Sequence, residues 1–139
     1  MSAVPHQATC VAIAGRGVLI EGSPGSGKSS LALALIDRGA ALVGDDGILL
    51  KLRDGQLWAL PPPAIDGLLE IRNVGLAKLP AEAAPVALAL RLDPEAPRFV
   101  ETAERIELAG AEIPLIRLWP DTPALPLRAE WALRLHGLA

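Results

Sequence analysis

The spacing of apolar and polar positions changes several times along the chain, and each change predicts an element. Between Thr9 and Ile20 two β-prone runs, "TCVAIA" and "VLI", flank Gly15-Arg16-Gly17. Glycine takes the positive φ of a hairpin turn readily, so this stretch reads as strand, tight turn and second strand. A glycine-rich loop follows, and "KSSLALALIDRG" then reads as helix, with strong helix formers throughout and Gly39 placed to end it. "AALVGDDG" is a short apolar run that stops at two carboxylates and a glycine, the pattern of a buried strand reaching a sheet edge. "ILLKLRDGQLWAL" alternates around Asp54-Gly55, a dipeptide that favours a two-residue hairpin turn. Further strands are expected at 86–92, 105–108 and 112–118, and "LRAEWALRLHG" reads as a last helix capped by Gly137. Pro61-Pro62-Pro63 cannot continue a central strand, and residues 73–85 and 93–104 carry no firm pattern. The elements add up to an α/β fold with a mixed sheet and flanking helices.

Length and composition narrow the options. A chain of 139 residues fits one domain spanning 1–139, without repeat or linker. Its apolar content of 51% supplies a core, yet aromatic residues are few: one Phe, three Trp and no Tyr. A base-stacking platform is therefore not expected, and a net charge of −3 without a basic run speaks against nucleic acid as partner. Cys10 is the only cysteine, which excludes an intramolecular disulfide or a cysteine metal cluster. "MSAVPHQATC" lacks the build of a signal peptide, and no run reaches the ~18 to 20 apolar residues of a membrane span. The expectation is a cytoplasmic protein with no membrane partner.

The chemistry begins at "GVLIEGSPGSGKSS". Gly22-Ser23-Pro24-Gly25-Ser26-Gly27-Lys28-Ser29 satisfies G-x-x-x-x-G-K-[ST], and with Ser30 forms the expected nucleotide-binding set. Glycines let backbone N–H groups turn toward a phosphate, and the following helix directs its positive end at the same point. Lys28 would reach the β- and γ-phosphates and Ser29 would bind Mg²⁺. Pro24 withholds one N–H from this cradle. A glycine turn followed by chance by Lys-Ser is the plain alternative, and the placement between strand and helix argues against it. Asp45-Asp46 ends the next strand, where two carboxylates would be costly in the sheet unless a metal or a substrate met them. One could serve the metal and the other an acceptor hydroxyl as base; a solvated turn is the other reading of "DDG".

Taken together, "GVLIEGSPGSGKSSLALALIDRGAALVGDD", the preceding "HQATCVAIAG" and the following "GLLEIRNVG" resemble the catalytic domain of HPr kinase/phosphorylase in its short form, without a separate N-terminal domain. That family pairs the phosphate loop with L-V-x-D-D and a later L-E-x-R-G-x-G. The likeness runs from about His6 to Gly75 and fades beyond.

The resemblance implies a P-loop core of the phosphoenolpyruvate carboxykinase-like type and an ATP- and Mg²⁺-dependent protein kinase that phosphorylates a serine of HPr, the phosphocarrier of the phosphotransferase system. It implies Asp45 as the base, Lys28 and Arg72 as further catalytic groups, and Ser29, Asp46 and Glu70 around the metal. It also implies a homo-oligomer, a hexamer in the family, with apolar surface at Trp119 or Trp131 available for an interface. His6 matches a histidine before the first strand. Two departures bear on the family's reverse reaction, phosphorolysis of phosphoserine: Asn73 stands where the family has the first glycine of Gly-x-Gly, which predicts a stiffer loop, and Arg128 is only a loose substitute for an arginine in Pro-Gly-Arg-Asn. A small-molecule P-loop kinase and a nucleotide-sensing module without chemistry remain alternatives on the residues alone.

Overall fold

The computed structural model describes residues 2–63, 67–120 and 122–139. In chain order the elements are β1 (Val4–His6), β2 (Thr9–Ile13), β3 (Arg16–Glu21), α1 (Lys28–Asp37), β4 (Ala41–Gly44), β5 (Ile48–Arg53) and β6 (Gln56–Leu60). There follow β7 (Leu68–Ile71), β8 (Gly75–Lys78), β9 (Ala84–Leu92), β10 (Glu104–Leu108), β11 (Ala111–Leu118) and α2 (Leu125–His136).

β9 organises the main sheet because nine mostly apolar residues let it serve three neighbours. It runs parallel to β3 along one edge, while its other edge meets β6 antiparallel at Ala84 and Pro85 and β11 parallel from Ala89 to Leu92. The sheet thereby divides along β9. One arm carries β6, β5 and β1, the other carries β11 and β10, and β2 and β4 continue beyond β3. β7 and β8 form a separate hairpin.

Both faces of the central strands are covered, which is why these strands read as nearly continuous apolar runs. Val11, Val18, Ile20, Leu88 and Leu90 face one way and pack beneath Leu31 and Leu35 of α1 and Ala129 and Leu133 of α2. Their alternates Cys10, Ala12, Leu19 and Ala89 face the other way, onto Ile48, Leu50 and Leu57 of the β5–β6 hairpin. Among the described residues no helix is long and apolar enough to cross a membrane.

Two turns show local chemistry at work. Asp54 and Gly55 take φ values of 49° and 79° in the β5–β6 hairpin, as the dipeptide predicts. The first hairpin turns one residue earlier than expected, on Ala14 and Gly15 with φ of 51° and 80°, and Arg16 and Gly17 instead enter the ladder opposite Ile13 and Ala12. The helix α1 ends at Gly39, with φ of 112°, whereas Gly137 after α2 is extended and is required by closeness instead: a Cβ there would lie 2.6 Å from the Leu133 carbonyl oxygen. α2 itself starts earlier than the pattern predicts, with Pro126 in its first turn, where a missing N–H costs nothing.

Cys10 lies fully buried, and burial pushes its thiol up from 9.0 to about 12. Between these values the unfolded chain gives up a proton that the folded chain keeps, so this group lowers stability by about 1.4 kcal/mol per pH unit as pH rises. Urea unfolding of the wild type and Cys10→Ala from pH 8 to 10 is expected to show this extra alkaline slope in the wild type alone; equal slopes would refute it.

Candidate functional site

The three parallel strands β3, β9 and β11 end on one edge of the sheet, and ligands of such sheets lie beyond the carboxyl ends of the strands. A cleft of about 960 Å³ opens there. Its floor is the loop from Gly22 to Gly27, which connects β3 to α1. Gly27 takes the left-handed φ of 102° and directs the chain into the helix, with Leu31 N–H donating to its carbonyl at 2.9 Å. Gly25, with φ of 81°, shapes the crest of the loop, and Ser26 N–H closes it onto Ser23 O at 3.0 Å.

Gly22, Ser23, Pro24 and Gly25 line this cleft, together with Gly27, Lys28, Ser29 and Ser30. Ser26 departs from the expected set: it does not line the cleft, and its hydroxyl is buried without a hydrogen-bond partner. The Lys28 ammonium donates to Gly22 O at 2.9 Å, so the loop holds its own lysine at the cleft.

Asp45 connects this loop to two other parts of the chain. Its Oδ1 accepts from Ser29 Oγ at 2.6 Å and from Thr9 Oγ1 at 3.1 Å, while its Oδ2 accepts from the Glu70 backbone N–H at 3.2 Å. Asp46 is exposed, with φ of 58°, and its backbone N–H donates to Thr9 Oγ1 at 3.2 Å. Both aspartates reach the cleft because the strand stops at Gly44 and the chain doubles back. That reversal needs glycine: a Cβ on Gly44 would lie 2.5 Å from Gly47 O and 2.8 Å from Ile48 Cγ2.

Glu70 and Arg72 enter from the β7–β8 hairpin, and both line the cleft. Leu69 between them and the core is fully buried in the apolar layer of α1, and burying such a side chain stabilises by about 1.5–3 kcal/mol. That anchor fixes the alternation, so Glu70 points away from the core. The loop at the hairpin tip tests the expectation of stiffness: Asn73 takes φ of 69°, a conformation that asparagine tolerates better than most residues, and so keeps a backbone form suited to the glycine it replaces.

Arg91 and Arg117 are cleft residues that the sequence analysis missed. They occupy corresponding places in "VALALRL" and "EIPLIRL" and pair directly in the parallel ladder, a repetition that was available as a signal. Carboxylates hold the two cations: Arg91 donates to Glu21 at 2.9 Å, and Arg117 donates to Glu104 at 2.8 Å and Asp93 at 3.2 Å. The hydrogen bond from Arg117 lowers the Glu104 pKa and raises that of Arg117. Arg128, by contrast, is not a cleft residue. It donates to Thr122 at 3.3 Å and lies over the Trp119 ring. Asp121, part of the stretch compared with Pro-Gly-Arg-Asn, falls outside the described residues. His6 also lies off the cleft, 3.2 Å from Glu21, while its neighbour Gln7 lines it.

Among the described residues no group of three or more His, Cys, Asp or Glu side chains is arranged to hold a metal ion. Ser29, Asp46 and Glu70 nevertheless suit Mg²⁺, which is commonly held by one or two carboxylates together with substrate phosphates and not by an all-protein cage. The donor set fits a metal that arrives with a nucleotide.

Comparison with known proteins points to one family. The family model described as the HPr Serine kinase C-terminal domain matches residues 2–81. An HPr kinase/phosphorylase of Streptococcus thermophilus is 39% identical over 122 residues, which cover 78% of this chain and 40% of that protein. One of Streptococcus uberis is 37% identical over 120 residues, covering 76% of this chain and 39% of the other. The chain thus spans well under half the length of these relatives. The solved structure of the Hpr(Ser) kinase/phosphatase from Coxiella burnetii matches with a TM-score of 0.83 and 32% identity, over 94% of this chain and 88% of that one.

Gly44→Ala is expected to destabilise the chain by about 1–3 kcal/mol, because the two nearest contacts of the added methyl include backbone. It should also weaken Mg²⁺-dependent nucleotide binding by displacing Asp46, which follows in the same turn. Thermal unfolding and titration with a fluorescent ATP analogue check both effects, and wild-type values in both would refute the requirement.

Proposed function

The chain belongs to the family of the HPr serine kinase C-terminal domain, and from that premise we propose that it is an ATP-dependent protein kinase acting on a serine of an HPr-type phosphocarrier. The observation that supports this most is the contact between motifs far apart in sequence: the phosphate-loop serine and the backbone of the "LEIR" segment both meet one carboxylate, that of Asp45. A turn that merely faces solvent has no need of such convergence.

Lys28, released from Gly22 O, would bind the β- and γ-phosphates, and the loop N–H groups of Gly25 and Gly27 would face the same anion. Ser29, Asp46 and Glu70 would hold Mg²⁺. Bound there, the ion would neutralise phosphate charge and orient the transferred group. Ser29 and Thr9 donate to Asp45 Oδ1 and the Glu70 N–H to Oδ2, which leaves Oδ2 acceptor capacity for the proton of an acceptor serine. Asp45 would take the acceptor proton as the acceptor oxygen attacks the γ-phosphorus and the bond to the ADP oxygen breaks. Arg72, on the hairpin rim, is placed to balance charge on the transferred phosphoryl group. The reverse reaction would pass the phosphoryl group from phosphoserine to inorganic phosphate, yielding pyrophosphate, and Asp45 would return the proton.

Incubation with ATP, Mg²⁺ and HPr, followed by intact-mass measurement, is expected to show one phosphoryl group added to HPr. Asp45→Asn should lower that rate on the order of 100-fold or more while ATP still binds; unchanged labelling would remove Asp45 as base. Absence of labelling by the wild type, with ATP bound, would favour the nucleotide-sensing alternative. Excess inorganic phosphate added to phosphorylated HPr tests the reverse reaction.

The family also suggests assembly into a homo-oligomer. Leu127, Trp131 and Leu135 lie exposed on α2, one turn apart, and form an apolar stripe suited to a second copy. Light scattering is expected to give a mass above the 14.5 kDa of one chain; a monomer at working concentration would count against it.

A further inference from the structure

Thr9 is a fully buried polar residue at the head of β2, and the kinase reading gives it no part. Its hydroxyl is nonetheless used in both directions: it donates to Asp45 Oδ1 at 3.1 Å and accepts from the Asp46 backbone N–H at 3.2 Å. One side chain therefore holds both members of the carboxylate pair, Asp45 by its side chain and Asp46 by its backbone.

The register of the sheet explains how a residue 36 positions away comes to do this. β2 and β4 pair antiparallel as Ala12 with Ala41 and Val11 with Leu42. Continued evenly, that ladder would place Thr9 opposite Gly44 and Asp45 opposite Ala8. The register instead shifts between Cys10 and Val11, so that Cys10 meets Gly44 and the next position brings Asp45 opposite Thr9. Opposed residues of an antiparallel pair project to the same face, which is how the hydroxyl reaches the carboxylate. Irregularities of this kind commonly re-aim a side chain beside an active site. On its other edge Thr9 pairs with Ile20, in the strand that delivers the phosphate loop, so the clasp is referenced to the same strand as the nucleotide site.

The left-handed φ of Asp46 makes the second bond important. Aspartate visits φ near 58° more readily than most residues, and the Thr9 oxygen, by accepting the Asp46 N–H, favours that conformation here. We propose that Thr9 is a positioning residue for phosphoryl transfer, fixing the directions of Asp45 and Asp46 relative to each other and to Ser29. It touches neither nucleotide nor acceptor.

The kinetic part of this inference rests on the kinase reading; the clasp itself does not. Thr9→Val keeps the shape and removes the hydroxyl, whereas Thr9→Ser restores it. With ATP, Mg²⁺ and HPr, Thr9→Val is expected to lower kcat about tenfold, the equivalent of one good hydrogen bond, with KM for ATP nearly unchanged. Thr9→Ser should recover most of the loss. Amide hydrogen exchange in the nucleotide-free protein supplies the independent readout: the Asp46 N–H should be protected in the wild type and Thr9→Ser and exchange faster in Thr9→Val. A Val variant with wild-type kcat, or a Ser variant no better than Val, overturns the positioning role. Equal Asp46 exchange in all three overturns the clasp. A wild type that labels no HPr while Asp46 exchange still responds to Thr9→Val overturns the kinase reading and supports the clasp.

Discussion

A single carboxylate group, that of Asp45, accepts hydrogen bonds from three separate segments of the chain, and the architecture around the cleft is organised to permit it. Ser29 can reach it because α1 begins at the phosphate loop; Thr9 can reach it because the β2–β4 ladder shifts; the Glu70 N–H can reach it because Leu69 anchors the hairpin beneath α1. Half-buried carboxylates are tolerated where donors surround them, and here each donor comes from an element secured by a different apolar contact. Packing thus acts at a distance on the chemistry: it sets where the donors stand, and the donors set where the carboxylate points.

Much of this was readable from residue order. Lys28 follows a glycine loop between an apolar run and a helix pattern, and the structure places Ser29 beside Asp45 as the spacing of the motifs suggested. Local signals of this sort need only neighbours in sequence, which is also why the Asp54-Gly55 hairpin was legible. Thr9 was not, because its significance depends on a one-residue register shift opposite a strand more than thirty residues later. A threonine at the start of an apolar strand has no feature that distinguishes it from any other β-former. Ser26 belongs to the motif by position, and the loop buries its hydroxyl, a direction that the motif does not specify. Motif spacing specifies backbone path better than side-chain direction.

The two missed arginines show a third kind of limit. Each ends an apolar run and, read alone, looks like a strand's transition to solvent. Their meaning appears only when β9 and β11 are known to be adjacent and parallel, which places Arg91 beside Arg117. Neighbouring like charges repel, and Glu21, Asp93 and Glu104 offset that repulsion at the carboxyl edge of the sheet. The same carboxylates keep both guanidinium groups committed to the protein. An anion entering the cleft therefore meets them as partners already engaged, whereas among the described residues Lys28 donates to neutral carbonyl oxygens, bonds that cost less to exchange for an anion.

Backbone conformation follows the same division between what is held and what is free to move. Positive φ occurs at Gly25 and Gly27 in the loop and at Asp46 after β4, all lining the cleft, and at Asn73 on the hairpin. The glycines need no external support for it. At Asp46, a residue type that visits this region more readily than most, a buried hydroxyl also accepts the backbone N–H. Asn73 sits at an exposed tip where its own residue type suffices. The aspartate pair between loop and hairpin is referenced to the central sheet through Thr9. On the proposed kinase reading, the group that would take the acceptor proton is the one that three separate segments of the chain hold in place.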